Sequence, residues 1–126
     1  MRVLIVDDDE NINLFMSRLL NKKFQCKTET AKNGLEALTK ISLFRPELIF
    51  LDVTMPIMDG IEFLENMRKE EIFKNTPVVM LTAVSTKDVI EKVMRFGILD
   101  YMLKPLMYNP TIDKISAILD KIGHLH

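Results

Sequence analysis

The amino-acid sequence predicts an α/β domain built on a doubly wound, five-stranded parallel sheet, order 2-1-3-4-5, with five helices. Two observations carry this prediction. Short apolar runs alternate with amphipathic stretches along the whole chain, the pattern of strand–helix–strand units with right-handed crossovers. The runs beginning at Val3, Leu48 and Val78 are apolar throughout, as strands covered on both faces must be, whereas those near Phe24 and Leu99 are weaker and suit the edges. The doubly wound order puts the first three in the middle and the other two outside.

Val3–Val6 is rich in β-branched residues and reads as the first strand. From Asp9 to Lys22, the residues Ile12, Phe15, Met16, Leu19 and Leu20 recur at helical spacing, and Asp9 is placed to cap that helix. Phe24 to Thr30 alternates, with Phe24, Cys26, Thr28 and Thr30 on one side, and predicts a half-exposed second strand. Asn33 with Glu36 three residues on is a capping spacing. It opens a helix whose inward stripe is expected to be Leu35, Leu38 and Ile41, with Pro46 ending it. After the strand Leu48–Leu51, Asp59 and Glu62 repeat the capping spacing ahead of Ile61, Leu64 and Met67. Pro77 precedes the strand Val78–Leu81. Ser85 or Thr86 is expected to cap a helix carrying Ile90, Val93 and Met94, with Gly97 closing it. A short strand over Leu99–Leu103 follows. Asn109-Pro110 is read as cap and first residue of a last helix bearing Ile112, Ile115, Leu119 and Ile122.

Composition bounds what such a domain can do. Its 126 residues suit one domain, and 48% apolar against 28% charged residues suits a folded chain. Seventeen Lys and Arg against 18 Asp and Glu leave a net charge of −1, so no general attraction to nucleic acid or to an anionic membrane is expected. The longest apolar runs have four residues, where a membrane-spanning helix needs about 20. The single Cys26 excludes an internal disulfide framework and reads as a small buried hydrophobe. A lone thiol, with no room for a signal peptide before Val3, gives the expectation of a cytoplasmic protein. Most of the nine Met are expected to fill the core, and the two His, both among the last three residues, to have no catalytic role.

The chemistry lies where the strands end. The first runs into Asp7-Asp8-Asp9, the third into Asp52, the fourth into Thr82 and the fifth into Lys104. Parallel strands present these ends on one edge, and open α/β sheets bind ligands there, where the winding reverses. Taken singly, each residue is an ordinary solvated strand end or cap. Together they bring carboxylates, a hydroxyl and an ammonium into one crevice. Crowded carboxylates raise one another's pKa unless a cation sits among them, and an all-oxygen donor set suits Mg²⁺ or Mn²⁺.

In these residues the sequence resembles the receiver domains of two-component response regulators, a flavodoxin-like fold. Asp7 and Asp8, Asp52, Thr82, and Lys104-Pro105 stand in the family's order. Asp52-Val53-Thr54-Met55-Pro56-Ile57-Met58-Asp59-Gly60 is similar to the loop around its phosphorylated aspartate. The resemblance spans about residues 2–122, giving a receiver domain over 1–122 and a tail at 123–126. It implies that Asp52 accepts a phosphoryl group from a sensor histidine kinase or a histidine phosphotransfer protein. Asp8, Asp52 and the Thr54 backbone carbonyl would hold Mg²⁺, with Asp7 acting through water. Thr82, the Ala83 N–H and Lys104 would bind phosphoryl oxygens. Thr82 and Tyr101 would then switch the surface of the fourth helix, fifth strand and fifth helix toward a downstream effector. The resemblance also implies a cis peptide before Pro105, and a protein that catalyses only its own phosphorylation and dephosphorylation.

Two departures stand out. Leu106-Met107-Tyr108-Asn109-Pro110 is longer than the family's usual form, so Leu106, Met107 and Tyr108 become a candidate partner or homodimer surface, dimerisation following phosphorylation. In the family, the positions held here by Val84, two residues after Thr82, and Thr54, two after Asp52, flank the path of hydrolytic water. As Val84 cannot orient that water, a longer-lived phosphoryl group is expected. The competing reading is an interaction module of the same fold that works without phosphorylation, but such modules usually lack the acidic pair, the acceptor or the lysine. A haloacid-dehalogenase-like phosphatase would want a second Asp at Thr54. A flavodoxin-like cofactor carrier or a nucleotide P-loop would want a Gly-rich loop where Asp7–Asp9 stands. No DNA-binding or enzymatic effector segment is expected after the fifth helix, and no direct contact with nucleic acid or membrane.

Overall fold

The computed structural model describes residues 1–83 and 87–123. The elements run β1 (Arg2–Val6), α1 (Glu10–Phe24), β2 (Lys27–Ala31), α2 (Gly34–Phe44), β3 (Leu48–Asp52), α3 (Gly60–Arg68), β4 (Val78–Thr82), α4 (Lys87–Met94), β5 (Asp100–Leu103) and α5 (Tyr108–Lys121). A single 3₁₀ turn, Glu71–Phe73, follows α3. All neighbouring strands pair in parallel in the order β2-β1-β3-β4-β5, as the sequence predicts.

Burial follows that order. Every residue of β3 and β4 is buried, and all of β1 after Arg2, whereas β2 and β5 are only partly covered. Alternate residues of the central strands feed two cores. Leu4, Val6, Ile49, Leu51, Val78 and Met80 pack with Ala37 and Ile41 of α2, Phe63, Leu64 and Met67 of α3, and Val93 of α4. Val3, Ile5, Leu48, Phe50, Val79 and Leu81 pack with Met16, Leu19 and Leu20 of α1 and Ile115, Ile118 and Leu119 of α5. Phe50 and Phe63 are fully buried on opposite sides, each burial stabilising the fold by roughly 1.5–3 kcal/mol. Cys26 is buried in the second core, and five of the nine Met (Met16, Met55, Met67, Met80 and Met102) are core residues.

Several local expectations are corrected. The alternation from Phe24 does not begin a strand: α1 continues through Phe24, Gln25 turns the chain at φ 52°, and β2 starts at Lys27. Met16, Leu20 and Phe24 extend one helical stripe, so the 3.6-residue period wins over the two-residue one. Leu35 is 54% exposed, and Gly34, Ala37 and Ile41 line the inner face of α2 instead. The cause is a close approach. The Gly34 N–H donates to the Met58 carbonyl at 2.8 Å, and a Cβ there would lie 2.6 Å from Met58 Cγ, which fixes the helix's rotation. Met94 points outward at 53% exposure, leaving Val93 as the buried residue of α4. Asn109-Pro110 is not the cap of α5. The helix starts at Tyr108 with Met107 as an N-cap that makes no side-chain bond. Pro110 is tolerated because amides of the first turn have no intrahelical acceptor. The predicted cap at Ser85 or Thr86 and the histidines at 124 and 126 lie outside the described residues.

The other N-caps form as expected. Asp9 accepts from the Asn11 N–H at 2.9 Å, Asn33 from Glu36 at 2.8 Å, and Asp59 and Glu62 form a reciprocal capping box. Gly97 does not close α4 directly: the helix ends at Met94, and Gly97, at φ +72°, is the last residue of the turn at 95–97. The Arg68 guanidinium joins two connections by donating to the carbonyls of Phe73, Thr76 and Phe96.

Gly60 supports the end of β3 most directly. Its N–H donates to Val53 O at 2.9 Å, and a Cβ would meet the Asp52 carbonyl oxygen at 2.1 Å. Gly60→Ala therefore pushes α3 away from Asp52 and is expected to lower unfolding stability by at least about 1–3 kcal/mol, read as a shift in urea midpoint. An unchanged midpoint means the two segments separate freely.

Candidate functional site

β1 and β3 are neighbours, with Val6 opposite Leu51, so the residues that follow them, Asp7 and Asp52, emerge side by side. Asp7 is completely buried and Asp52 is 4% exposed, whereas Asp8 is exposed. Carboxylate oxygens of all three lie within 4.8 Å of one another. Thr82, also buried, ends β4, and Lys104 follows β5, where its N–H donates to Thr82 O at 2.8 Å. The Lys104–Pro105 peptide is cis. The Lys104 ammonium reaches across two strands to Asp7 Oδ2 at 2.8 Å and Asp52 Oδ1 at 3.4 Å.

The loop from Val53 to Asp59 holds Asp52 from below. Met55 is buried and anchors it, while Ile57 stands 76% exposed at φ 70°, a conformation that β-branched residues rarely adopt. The Met58 N–H closes a tight turn on Pro56 O at 2.8 Å. The backbone at Thr54 hydrogen-bonds the Asp52 carboxylate, so its N–H is turned toward that group.

Electrostatics at the site are unbalanced. Burial and then the nearby Asp7 charge push the Asp52 carboxyl up to about 7, against the opposing pull of Lys104 and the Thr54 N–H. Burial works to lower the Lys104 ammonium, but its hydrogen bond to Asp7 and the charges of Asp52 and Asp7 outweigh it and leave the group raised. One ammonium is insufficient for this group of acids. The three carboxylates are hard oxygen donors, closely spaced and short of positive charge, and a small divalent cation fits them.

The remaining expected residues divide. Ala83 is exposed beside Thr82. Tyr101 lies opposite Met80 on β5, half-buried against the α2–α3–α4 core. Leu106 is half-buried against the other core, while Met107 and Tyr108 are 61% and 51% exposed. They face different crevices: Met107 lines one between β5 and α5, and Tyr108 lines one with Leu14, Phe15 and Arg18 of α1. Val84 lies outside the described residues. The sequence reading missed Asn13, which is buried with its amide on the Asp7 carbonyl. The available signal was its place on the stripe Asn13, Met16, Leu20.

The family model for the response regulator receiver domain matches residues 3–116. This chain belongs to that family. As a receiver domain it is a signalling module of phosphorelay systems, a class that binds a divalent metal at an acidic pocket and interacts with histidine kinases, phosphotransfer proteins and effector domains. It is 35% identical over 118 residues to sporulation initiation phosphotransferase F of Bacillus subtilis, covering 94% of this chain and 93% of that protein. It is 34% identical over 117 residues to hybrid signal transduction histidine kinase D of Dictyostelium discoideum, covering 93% of this chain and 7% of that protein. The chain is thus similar both to nearly all of a short protein and to a small part of a long one. The chemotaxis response regulator CheY4 of Vibrio cholerae superposes with a TM-score of 0.85 at 31% identity, over 94% of this chain and 98% of that one. No helix among the described residues is long and apolar enough to cross a membrane.

The raised Asp52 carboxyl makes metal-free stability depend on pH. An unfolded aspartate loses its proton near 3.8, while the folded one keeps it to about 7. Between those values the native state binds more protons, so this group's contribution becomes less favourable as pH rises from about 4 to about 7 and is constant above. Thermal midpoints in a chelating buffer are therefore expected to fall across this window more steeply in wild type than in Asp52→Asn. Parallel profiles would mean that Asp52 ionises normally.

Proposed function

We propose that the chain accepts a phosphoryl group on Asp52, from a phosphohistidine of a sensor histidine kinase or histidine phosphotransfer protein. The resulting aspartyl phosphate then shifts the surface formed by α4, β5 and α5 toward a downstream effector. The observation that carries this reading is the Asp52 carboxylate, at the end of β3, gathered with Asp7 and Asp8 and ion-paired to Lys104.

A carboxylate oxygen of Asp52 forms the new P–O bond as the P–N bond to the donor imidazole breaks. The imidazole keeps the bonding electrons and takes up a proton. Asp8, Asp52 and the Thr54 carbonyl would hold Mg²⁺, or Mn²⁺, with Asp7 acting through water. When bound, such an ion neutralises the crowded carboxylates and the phosphoryl oxygens. Lys104 exchanges its place between Asp7 and Asp52 for a phosphoryl oxygen, a role suited to a compact charge on a flexible stem. The Thr82 hydroxyl and the Ala83 N–H bind other oxygens. Thr82 then moves toward the new acceptor, and Tyr101 turns inward beside it. Residues 1–122 make up this receiver unit, and its catalysis is confined to its own phosphorylation and dephosphorylation.

Intact mass after incubation with acetyl phosphate tests the acceptor. One phosphoryl addition is expected for wild type in Mg²⁺, and none with chelator or in Asp52→Asn. Equal labelling of Asp52→Asn would remove the assignment. A folded wild type that neither gains mass nor binds Mg²⁺ would favour an interaction module working without phosphorylation.

Met107 and Tyr108, exposed where α5 begins, are proposed as part of the partner surface, whether for a phosphodonor protein or a second copy of the chain. Met107→Ser with Tyr108→Ser is expected to leave acetyl-phosphate labelling intact. Transfer from a histidine-phosphorylated donor, or dimerisation of the phosphorylated chain by sedimentation, should weaken. If both stay at wild-type levels, these side chains are outside the interface.

A further inference from the structure

Asn13 is a buried polar side chain that the proposed phosphoryl chemistry leaves without a role. It lies in the first turns of α1, 6% exposed, on the same buried stripe as Met16 and Leu20. Its Nδ2 donates to the Asp7 carbonyl at 2.8 Å and reaches the Ala31 carbonyl at 3.4 Å. The Asp7 N–H also donates to Ala31 O, at 3.0 Å. One amide group therefore ties together the ends of β1 and β2, the point where the chain leaves the sheet for the acidic loop.

The Asp7 carbonyl belongs to the same planar peptide as the Asp8 N–H. Holding that carbonyl fixes the plane on which Asp8 is carried. The Asp9 N–H, at 2.9 Å from Asp7 Oδ1, holds the Asp7 side chain from the next peptide. Asp7 is thus restrained at its N–H, its carbonyl and its carboxylate. Asp8, the exposed member of the acidic cluster, has no such restraint of its own in the described structure and depends on the peptide before it.

Asn13 Oδ1 is buried with no hydrogen-bond partner among the described residues. An unpaired buried acceptor is unfavourable, and a leucine of similar size would fill the space without one. Packing alone therefore does not account for an amide here, whereas its two donated bonds do.

We propose that Asn13 is a positioning residue for the divalent-metal site, aiming Asp8 through the Asp7 carbonyl. The inference rests on the metal-binding reading of Asp7, Asp8 and Asp52. Groups that orient ligands in this indirect way typically change metal affinity by about 10–100-fold when removed.

The test is a Mg²⁺ titration of the full chain by calorimetry and by nitrogen-15 NMR, for wild type and Asn13→Leu. Asn13→Leu is expected to bind Mg²⁺ at least about tenfold more weakly. In wild type, the Asn13 side-chain amide resonances are expected to shift along the same saturation curve as the Asp8 backbone amide. Those of Asn66, bonded to Glu62 O at 2.8 Å on α3, should not move. Mg²⁺ affinity of Asn13→Leu within twofold of wild type overturns the inference while leaving the metal site standing. If Asn13→Leu does not fold, the wild-type resonances decide. A shift with Mg²⁺ supports the inference, and no shift at saturation overturns it. A folded wild type that binds no Mg²⁺ overturns the metal reading itself, and this inference with it.

Discussion

Lys104 Nζ stands 2.8 Å from one carboxylate of a buried pair and 3.4 Å from the other, joining the end of β5 to the ends of β1 and β3. Asp7 and Asp52 are both almost inaccessible, and two buried carboxylates at neighbouring strand ends repel each other with little water to screen them. The ammonium makes the arrangement tolerable without neutralising it, and the Asp52 carboxyl remains raised to about 7. The site therefore retains a demand for positive charge. An ion or a rearranged lysine can answer that demand.

The rest of the domain keeps those strand ends in place. Two cores, one on each face of the sheet, leave β1, β3 and β4 with almost no exposed surface, so packing from both sides holds their ends. Gly60 brings the start of α3 against the Asp52 peptide, and Gly34 brings α2 against Met58. Both glycines serve a close backbone approach, and together they clamp the loop that carries Thr54. The less buried groups at the rim are Lys104 and Asp8, with the half-buried Tyr101 on the edge strand.

The two crevices beside the β5–α5 loop divide what one stretch of sequence joins. Met107 and Tyr108 are adjacent in the chain but face α5 and α1 respectively. The crevice between β5 and α5 and the one against α1 therefore meet at two consecutive residues where α5 begins. Asp100, which burial alone would raise, is lowered by the Tyr101 N–H and by Lys114 and Lys121 of α5. The ion pairs of Asp100 with Lys114 and Lys121 tie β5 to α5 at the crevice.

The order of the strands, the edge positions of β2 and β5, and the gathering of Asp7, Asp8, Asp52, Thr82 and Lys104 on one edge were legible in the sequence. Apolar runs report two-sided burial, and parallel strands end on one edge whatever their side chains do. The capping residues Asp9, Asn33 and Asp59 were legible for the same local reason. Rotation of a helix about its own axis was not. Leu35 and Met94 satisfy the apolar spacing yet face outward, because packing at Gly34 and Val93 set which stripe turned in. The start of α5 at Tyr108, rather than at the Asn109-Pro110 signal, was likewise decided by how the loop leaves the sheet. Asn13 shows the limit most clearly. Its place on a buried stripe is visible in the sequence, but only the tertiary structure puts its amide on Asp7, since that bond depends on how α1 packs beneath the ends of two strands. Which groups meet at the sheet edge follows from local patterning, whereas their burial, their pairing and the direction each one faces come from packing between segments distant in the chain.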